Sequence, residues 1–461
     1  MQFELTKEYL DQLRELIGHG KDTQIQELLG ELHPADIAEI IDEVKTEEAT
    51  FIYKLLEKDI AADVLVELEE DVREKLLSSF TSKEIAEEVI EMIDSDDAAD
   101  VISELSDEKK EEVISHIHDQ SQASDLIDLL AYEEGTAGSL MAKELIRVNV
   151  NWTVSMCIRE MRKQAEDLEN VYTIYVISDQ ELLLGRLSLK RLLFASSSTR
   201  TLVKDIFREE QLHSVLPETD EEEVATIMEK YDLVTVPVIS AQGVLLGRIT
   251  IDDVVDVIKE EAEKDYQMAS GIAEDVELRD SIWTLTRARL PWLLIGMVGG
   301  ILGAWVIGVF DIKNNPEMAL FIPLIAAMGG NVGVQSAAIV VQGLANKSVR
   351  NEGLFSKLLK ELGVGMLNGT ICGIILLGTS LILDFGTILC LTVSIALIAV
   401  IIFAAIFGTM VPLVLDRYKI DPALATGPFV TTANDIFGLI IYFLIGQWMV
   451  NNLGDVTAMF F

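Results

Sequence analysis

ALATGPFVTTANDIFGLIIYFLIGQWMV (residues 423–450) is apolar, small or neutral at every position except Asp435, which falls near its middle. The run is long enough to cross the ~30 Å hydrocarbon core of a bilayer. An ionised aspartate at the centre of a spanning helix costs about 2.5–3.5 kcal/mol on insertion scales, so it has to face a partner or water. No Lys, Arg or His lies at comparable depth in the other apolar runs, which excludes a simple buried ion pair. Two readings stay open. Asp435 lines an ion pathway, or Pro428, Thr431, Thr432 and Asn434 mark a broken helix whose backbone donors Asp435 caps. The pathway reading is the stronger.

Four more runs of spanning length precede this one: 290–310, 318–344, about 358–383 and 387–415. Five spans are therefore predicted. In the second, PLIAAMGGNVGVQSAA (323–338) brings Gly329, Gly330 and Gly333 to membrane depth together with the neutral oxygens of Asn331, Gln335 and Ser336. The glycines alone read as close helix packing, and the amides beside them tip the stretch toward a pore lining. Carboxylate, amide and carbonyl oxygens are hard ligands suited to Mg²⁺, Ca²⁺ or Mn²⁺. Mg²⁺ sheds water reluctantly, so one aspartate per chain fits a symmetric pair of chains with both Asp435 side chains facing one dyad.

Basic residues set the orientation. Arg287 and Arg289 precede the first span, Lys347, Arg350, Lys357 and Lys360 lie between the second and third, and Arg417 and Lys419 between the fourth and fifth. The opposite loops hold one lysine, and the tail none. The positive-inside rule then puts the soluble part in the cytoplasm and the C-terminus outside. MQFELTKEYLDQL lacks the apolar run of a secretory signal, in line with a cytoplasmic N-terminus.

That soluble part is strongly acidic. The whole chain has 461 residues and a formal net charge of −40, while residues 281–461 carry nine basic and nine acidic residues, leaving 27 basic and 67 acidic in 1–280. Phosphate would be repelled, so nucleic acid is excluded as a partner and cations are favoured. Most of these carboxylates read as solvated helix faces. The clusters DSDDAAD (94–100) and ITIDDVVDVIKEEAEKD (249–265) are the better candidate sites. Cys157, Cys372 and Cys390 have no paired spacing, and no disulfide is expected.

Two internal repeats organise residues 1–280. An acidic-apolar-Ala phrase recurs at Asp36-Ile37-Ala38, Asp59-Ile60-Ala61, Glu84-Ile85-Ala86 and Asp97-Ala98-Ala99, each followed by helical apolar spacing, which predicts an all-α superhelix. VISDQELLLGRLS (176–188) and VISAQGVLLGRIT (238–250) then match at an offset of 62 residues, each reading as strand, turn, strand and helix. Thr250 and Asp253 make a T-x-x-D helix start in the second copy. The two copies resemble a pair of cystathionine-β-synthase (CBS) domains over roughly 138–262.

Taken together, the chain resembles the MgtE family of magnesium channels and transporters. The likeness rests on the acidic helical N-terminal part, the CBS pair, five spans, PLIAAMGGNVGVQSAA and GPFVTTANDIFG. It implies a multidomain architecture: an acidic N-terminal superhelix (1–130), an α/β tandem CBS pair (131–262), a connecting plug helix (263–284) and a five-helix transmembrane domain (285–461). It also implies a homodimer in the bacterial inner membrane whose second and fifth spans line a pore on the dyad, with Asp435 at the ion site and Asn331 near it. By motif, the carboxylates that bridge Mg²⁺ and hold the plug closed would be Asp63, Asp96, Asp100, Asp220, Asp232, Asp253, Glu261, Asp265 and Asp421. Lys264 stands beside Asp265 where such chains often carry another acid. CBS pairs often bind adenine nucleotide through a Thr and an Asp like Thr250 and Asp253. The first copy has Arg191 where the second has Asp253, so at most one site of that kind, for ATP, is expected.

The function expected is a passive Mg²⁺ channel closed by the cytosolic ion it conducts. The alternative is a secondary transporter for Mn²⁺ or Co²⁺ regulated by nucleotide. An intramembrane aspartyl protease would need a second aspartate at depth, and no P-loop, G-x-S-x-G, H-E-x-x-H or D-K-T-G motif is present, so no enzyme is expected.

Overall fold

The computed structural model describes residues 3–165, 168, 170–195, 201–208, 212–273, 276, 280–310, 316–345, 354–425 and 427–457. Lys347 and Arg350 of the basic loop lie outside them. The chain forms two compact units, Met1–Ile258 and Lys259–Phe461.

The first unit opens with ten short α-helices between Lys7 and Leu129, one continued by a π-turn at Ala86–Ile90. Each recurring phrase is helical, and its alanine sits on the buried face. Ile37, Ala38, Ile40 and Ile41 are buried in Pro34–Asp42, as are Ala61, Ala62, Val64 and Leu65 in Lys58–Val66 and Ala98, Ala99, Val101 and Ile102 in Ser95–Ser103. The acids of the phrase fall at the first turn, where the helix dipole favours them. Short helices such as these are marginal alone, so packing of the shared apolar stripe supplies their stability.

The CBS pair follows. In the first copy β1 (Ile146–Asn149) runs parallel to β2 (Ile174–Ile177), which pairs antiparallel with β3 (Leu183–Leu187). In the second, β4 (Thr235–Ile239) and β5 (Leu245–Thr250) form an antiparallel pair. The copies meet through equivalent atoms. Leu183 N donates to Gly243 O (3.0 Å) and Leu245 N to Glu181 O (3.2 Å), while Thr173 and Thr235 hydroxyls lie 3.2 Å apart. Glu181 and Gly243 hold the same turn position, both with positive φ (61° and 84°); glycine adopts it without strain.

The helix Ile251–Ala269 continues from β5 without a break past the end of the second copy. It stops at Gly271 (φ 81°), where Ile272 N donates to Gln267 O and Gly271 N to Met268 O, both 3.0 Å, a Schellman close.

Among the described residues, the second unit holds five helices long and apolar enough to span a membrane: Ile282–Val309, Ile322–Ala345, Leu354–Ile382, Thr387–Arg417 and Pro428–Thr457. The fourth is the most enclosed. Val393, Ala396, Leu397, Val400 and Ile401 on it pack with Ile325 of the second and Leu439, Tyr442 and Phe443 of the fifth. Glycines let the backbones close up: a β-carbon on Gly408 of the fourth span would overlap the carbonyl of Gly333 in the second. Tyr442 Oη donates to Met318 O at 2.9 Å.

Candidate metal centres

Asp435 stands in an unbroken helix. The fifth span starts at Pro428, and the residue sits two turns into it, so the broken-helix reading of 428–434 does not hold. Proline at the start needs no donated hydrogen bond and presets φ, which explains the abrupt onset. The half-buried Asp435 carboxylate faces the glycine surface of the second span: a β-carbon on Gly330 would lie 3.5 Å from its Oδ1 and 3.1 Å from Thr431 Cγ2. Asn331, next in sequence to Gly330, and Gln335, one turn further, have exposed side chains. The second span therefore presents two amides within its apolar run without cover from the described residues. Ser336 points elsewhere, donating to Glu361 Oε1 of the third span at 2.5 Å. Glu361 is a further carboxylate within a spanning helix, seven residues from the helix start at Leu354 and close in sequence to Lys357 and Lys360.

At the other end of the same unit, Asp265 of the connecting helix lies near Asp421. Burial pushes the Asp265 carboxyl up, and the negative charges of Asp421 and Glu261 add to it against Lys264. Lys264 pairs with Glu261 (3.1 Å), so the departure noted in the sequence neutralises one acid of the group. Asp421 Oδ1 accepts from Ala423 N at 2.8 Å, which fixes its turn. A β-carbon on Gly427 would lie 2.9 Å from Ala269 O, and one on Gly271 2.7 Å from Pro428 Cγ. The end of the connecting helix thus packs directly on the start of the span that carries Asp435.

The first unit contains a third acidic group. Asp94, Asp96 and Glu144 each offer an oxygen, all within 4.8 Å of one another, a spacing that suits one hard cation. Ser95 ties them: its Oγ donates to Glu144 Oε2 (2.7 Å) and accepts from Lys143 N (2.8 Å). Asp253 approaches from the CBS helix. Burial first, then Asp97, Asp253 and Asp94, push the Asp96 carboxyl well above the usual range. Asp97 is pushed up to about 7, again by burial first and then by Asp253, Asp94 and Asp100. Asp253 is also raised, by burial, against hydrogen bonds from Thr250. Such shifts mean that negative charge is unfavourable here until a cation offsets it. Asp97 and Glu144 were not singled out in the sequence. Asp97 lies inside the acidic run DSDDAAD, but Glu144 is an isolated acid brought in by the fold.

The remaining sequence-derived acids join no such group among the described residues, except that Asp100 adds to the negative charge around Asp97. Asp63 and Asp100 are exposed. Asp220 caps the helix Glu221–Tyr231 through Glu222 N (3.0 Å), and Asp232 ends the same helix in a left-handed conformation (φ 56°).

Thr250 and Asp253 bond to each other. Thr250 N and Oγ1 donate to Asp253 Oδ2 at 3.1 and 2.5 Å, the predicted helix start. Asp96 and Asp97 add negative charge around it, and the Arg248 guanidinium, 3.6 Å from Asp94, offsets part of that charge. A cleft of about 1040 Å³ lies on the first copy, lined by Arg186, Lys190, Arg191 and Arg208 together with Tyr172 and Phe194.

Comparison with known proteins agrees with this anatomy. Residues 322–445 match the family model described as a divalent cation transporter, 32–135 that of the MgtE intracellular N domain, and 137–198 with 203–260 the CBS domain. The magnesium transporter MgtE of Thermus thermophilus is 33% identical over 330 residues, covering 70% of this chain and 72% of the relative. That of Bacillus subtilis is 29% identical over 327 residues, with the same coverage. Among solved structures, the cytosolic domain of the Mg²⁺ channel MgtE in complex with ATP aligns at a TM-score of 0.50 and 33% identity, covering 54% of this chain and 99% of that one. Acidic helices, a CBS pair and a five-span unit with Asp435 inside its last helix are thus joined by similarity along the chain, which belongs to the MgtE family.

Proposed function

We propose that the protein is a passive Mg²⁺ channel of the bacterial cytoplasmic membrane that works as a homodimer and closes when cytosolic Mg²⁺ binds its acidic elements. The observation that carries this reading is the position of Asp435, a carboxylate in a continuous spanning helix, turned to a glycine surface beside the exposed amides of Asn331 and Gln335. Polar groups left bare at membrane depth need a polar or aqueous neighbour. A second copy across a dyad supplies one, pairing two carboxylates around a hydrated ion.

Entry is downhill. The inside-negative potential contributes ~2.3 kcal/mol per charge per 100 mV, doubled for a divalent ion. On this reading the acidic unit is cytoplasmic and the C-terminus outside, an orientation that the loop charges favour. For closure, Asp265, Asp421 and Glu261 gather where the connecting helix packs on the fifth span, and Asp94, Asp96 and Glu144 gather near Asp253. Each group binds Mg²⁺ better than it tolerates its own charge, so the occupied arrangement is favoured as cytosolic Mg²⁺ rises. Asp63, Asp100, Asp220 and Asp232 serve as further bridging acids. A nucleotide such as ATP takes the cationic cleft of the first CBS copy, its base against Tyr172 or Phe194.

A second reading is a secondary transporter of another hard divalent ion. The two are separated by Mg²⁺ uptake into liposomes with a Mg²⁺ indicator inside and no counter-ion gradient. Uptake that follows the imposed potential supports the channel, and uptake only with a counter-ion gradient overturns it. Proteolysis of the purified protein across a Mg²⁺ titration tests closure: protection of the 131–285 region must saturate in the metal.

A further inference from the structure

Among the described residues, the membrane unit contains three buried side-chain polar atoms with no hydrogen-bond partner, and they belong to two residues. Asn434 leaves both Nδ2 and Oδ1 unpartnered, and Thr409 leaves Oγ1. Asn434 is 1% exposed and immediately precedes Asp435. Its amide presses on the second span so closely that a β-carbon on Gly333 would overlap it. Gly333 is also where Gly408 of the fourth span makes its backbone contact, one residue from Thr409. Both unpartnered groups thus belong to the junction of the second, fourth and fifth spans.

A buried amide without partners is destabilising, and an apolar side chain of the same shape removes the penalty. Leucine has nearly the shape of asparagine, and the neighbouring spans use leucine and isoleucine freely. The amide at this position therefore costs stability that leucine would not. Buried polar groups that lack protein partners are commonly served by internal water, which bonds to two to four of them. Successive residues of a helix point about 100° apart, so anchoring residue 434 inward fixes where residue 435 points.

We propose that Asn434 is a positioning residue of the ion site: its amide holds an internal water in the three-span junction, and this anchor sets the rotation of the fifth span that turns Asp435 to Gly330. The inference rests on the assignment of Asp435 as the pore ligand. The anchor locks carboxylate direction without charge of its own, so the anion stays free for the metal.

The test uses the full-length protein, reconstituted in liposomes for Mg²⁺ flux and melted in detergent for stability. Asn434→Leu is expected to melt at the same temperature as the parent or higher, yet to lose at least about ten-fold in flux and to need more Mg²⁺ for half-saturation. Asn434→Ser keeps a hydroxyl and room for water, and is expected to recover at least about a third of the flux. A leucine variant that transports within about two-fold of the parent overturns the proposal, because the amide is then mere packing. If the leucine variant fails to fold, Asn434→Ser is compared with Asn434→Ala. Higher flux with serine supports the water anchor, and equal flux overturns it. Asp435→Ala run in parallel tells the two ideas apart: normal flux there refutes the pore ligand, and this inference with it.

Discussion

Ser95 Oγ donates to Glu144 Oε2 at 2.7 Å across 49 residues of sequence, fixing a carboxylate from the CBS part beside Asp94 and Asp96 of the helical part. The serine is fully buried, so the bond is neither solvent-competed nor replaceable by water. Removing one partner of such a bond leaves the other desolvated.

Glu144→Gln should therefore weaken Mg²⁺ binding in the acidic unit without unfolding it. The Mg²⁺ concentration giving half-protection in limited proteolysis should rise by about ten-fold, equivalent to ~1.4 kcal/mol. An unmoved midpoint would remove Glu144 from the ligand set.

The pH dependence of the metal-free protein follows from Asp97. Its folded carboxyl titrates at about 7, above the ordinary value near 3.9, so the folded state holds the proton more tightly than the unfolded one. Stability from this source is full below the ordinary value and is lost as pH rises through about 7. In chelator, the melting temperature of the acidic unit's transition should fall between pH 5.5 and 8. Saturating Mg²⁺ should flatten or reverse that slope, and Asp97→Asn should flatten it in chelator.

Asp435→Asn retains shape and removes charge. Mg²⁺ flux into liposomes should drop by about two orders of magnitude, with the melting profile little changed. A neutral asparagine that still conducts would show that the carboxylate is not the ligand.

Gly408→Ala puts a methyl group against the Gly333 carbonyl, backbone against backbone, where neither side chain can yield. Overpacking of this kind costs about 1–3 kcal/mol. Gly296→Ala is the control, since nothing lies within 4 Å of a β-carbon there. Thermal melts should show a drop of several degrees for the first and none for the second.

Lys190→Ala in the cationic cleft should weaken ATP by several-fold in calorimetry, while Thr250→Ala should not. The reverse result would return the nucleotide to the second copy.

The five spans were legible because spanning length leaves an unmistakable apolar run, and the helical phrases because apolar spacing and alanine mark a packed face. Asp435 stood out for the same reason: one charge in an apolar run has no camouflage. Glu144 and Asp97 were not legible, since in a chain with 67 acids before residue 281 only tertiary proximity distinguishes a ligand from a solvated carboxylate. The repeat exposed two CBS copies, but it carries no sign of the cationic cleft on the first. The Thr250 and Asp253 pattern stands at a helix start beside other acids, while Arg191, the counterpart of Asp253 in the first copy, lines a cleft there.

The reciprocal bonds Leu183 N to Gly243 O and Leu245 N to Glu181 O have a mechanical consequence for the CBS pair. Each copy's turn is clamped by the other's, so sliding one module past its twin breaks both bonds at once. The two modules are therefore tied to move as a block, and the duplication makes a single stiff girder.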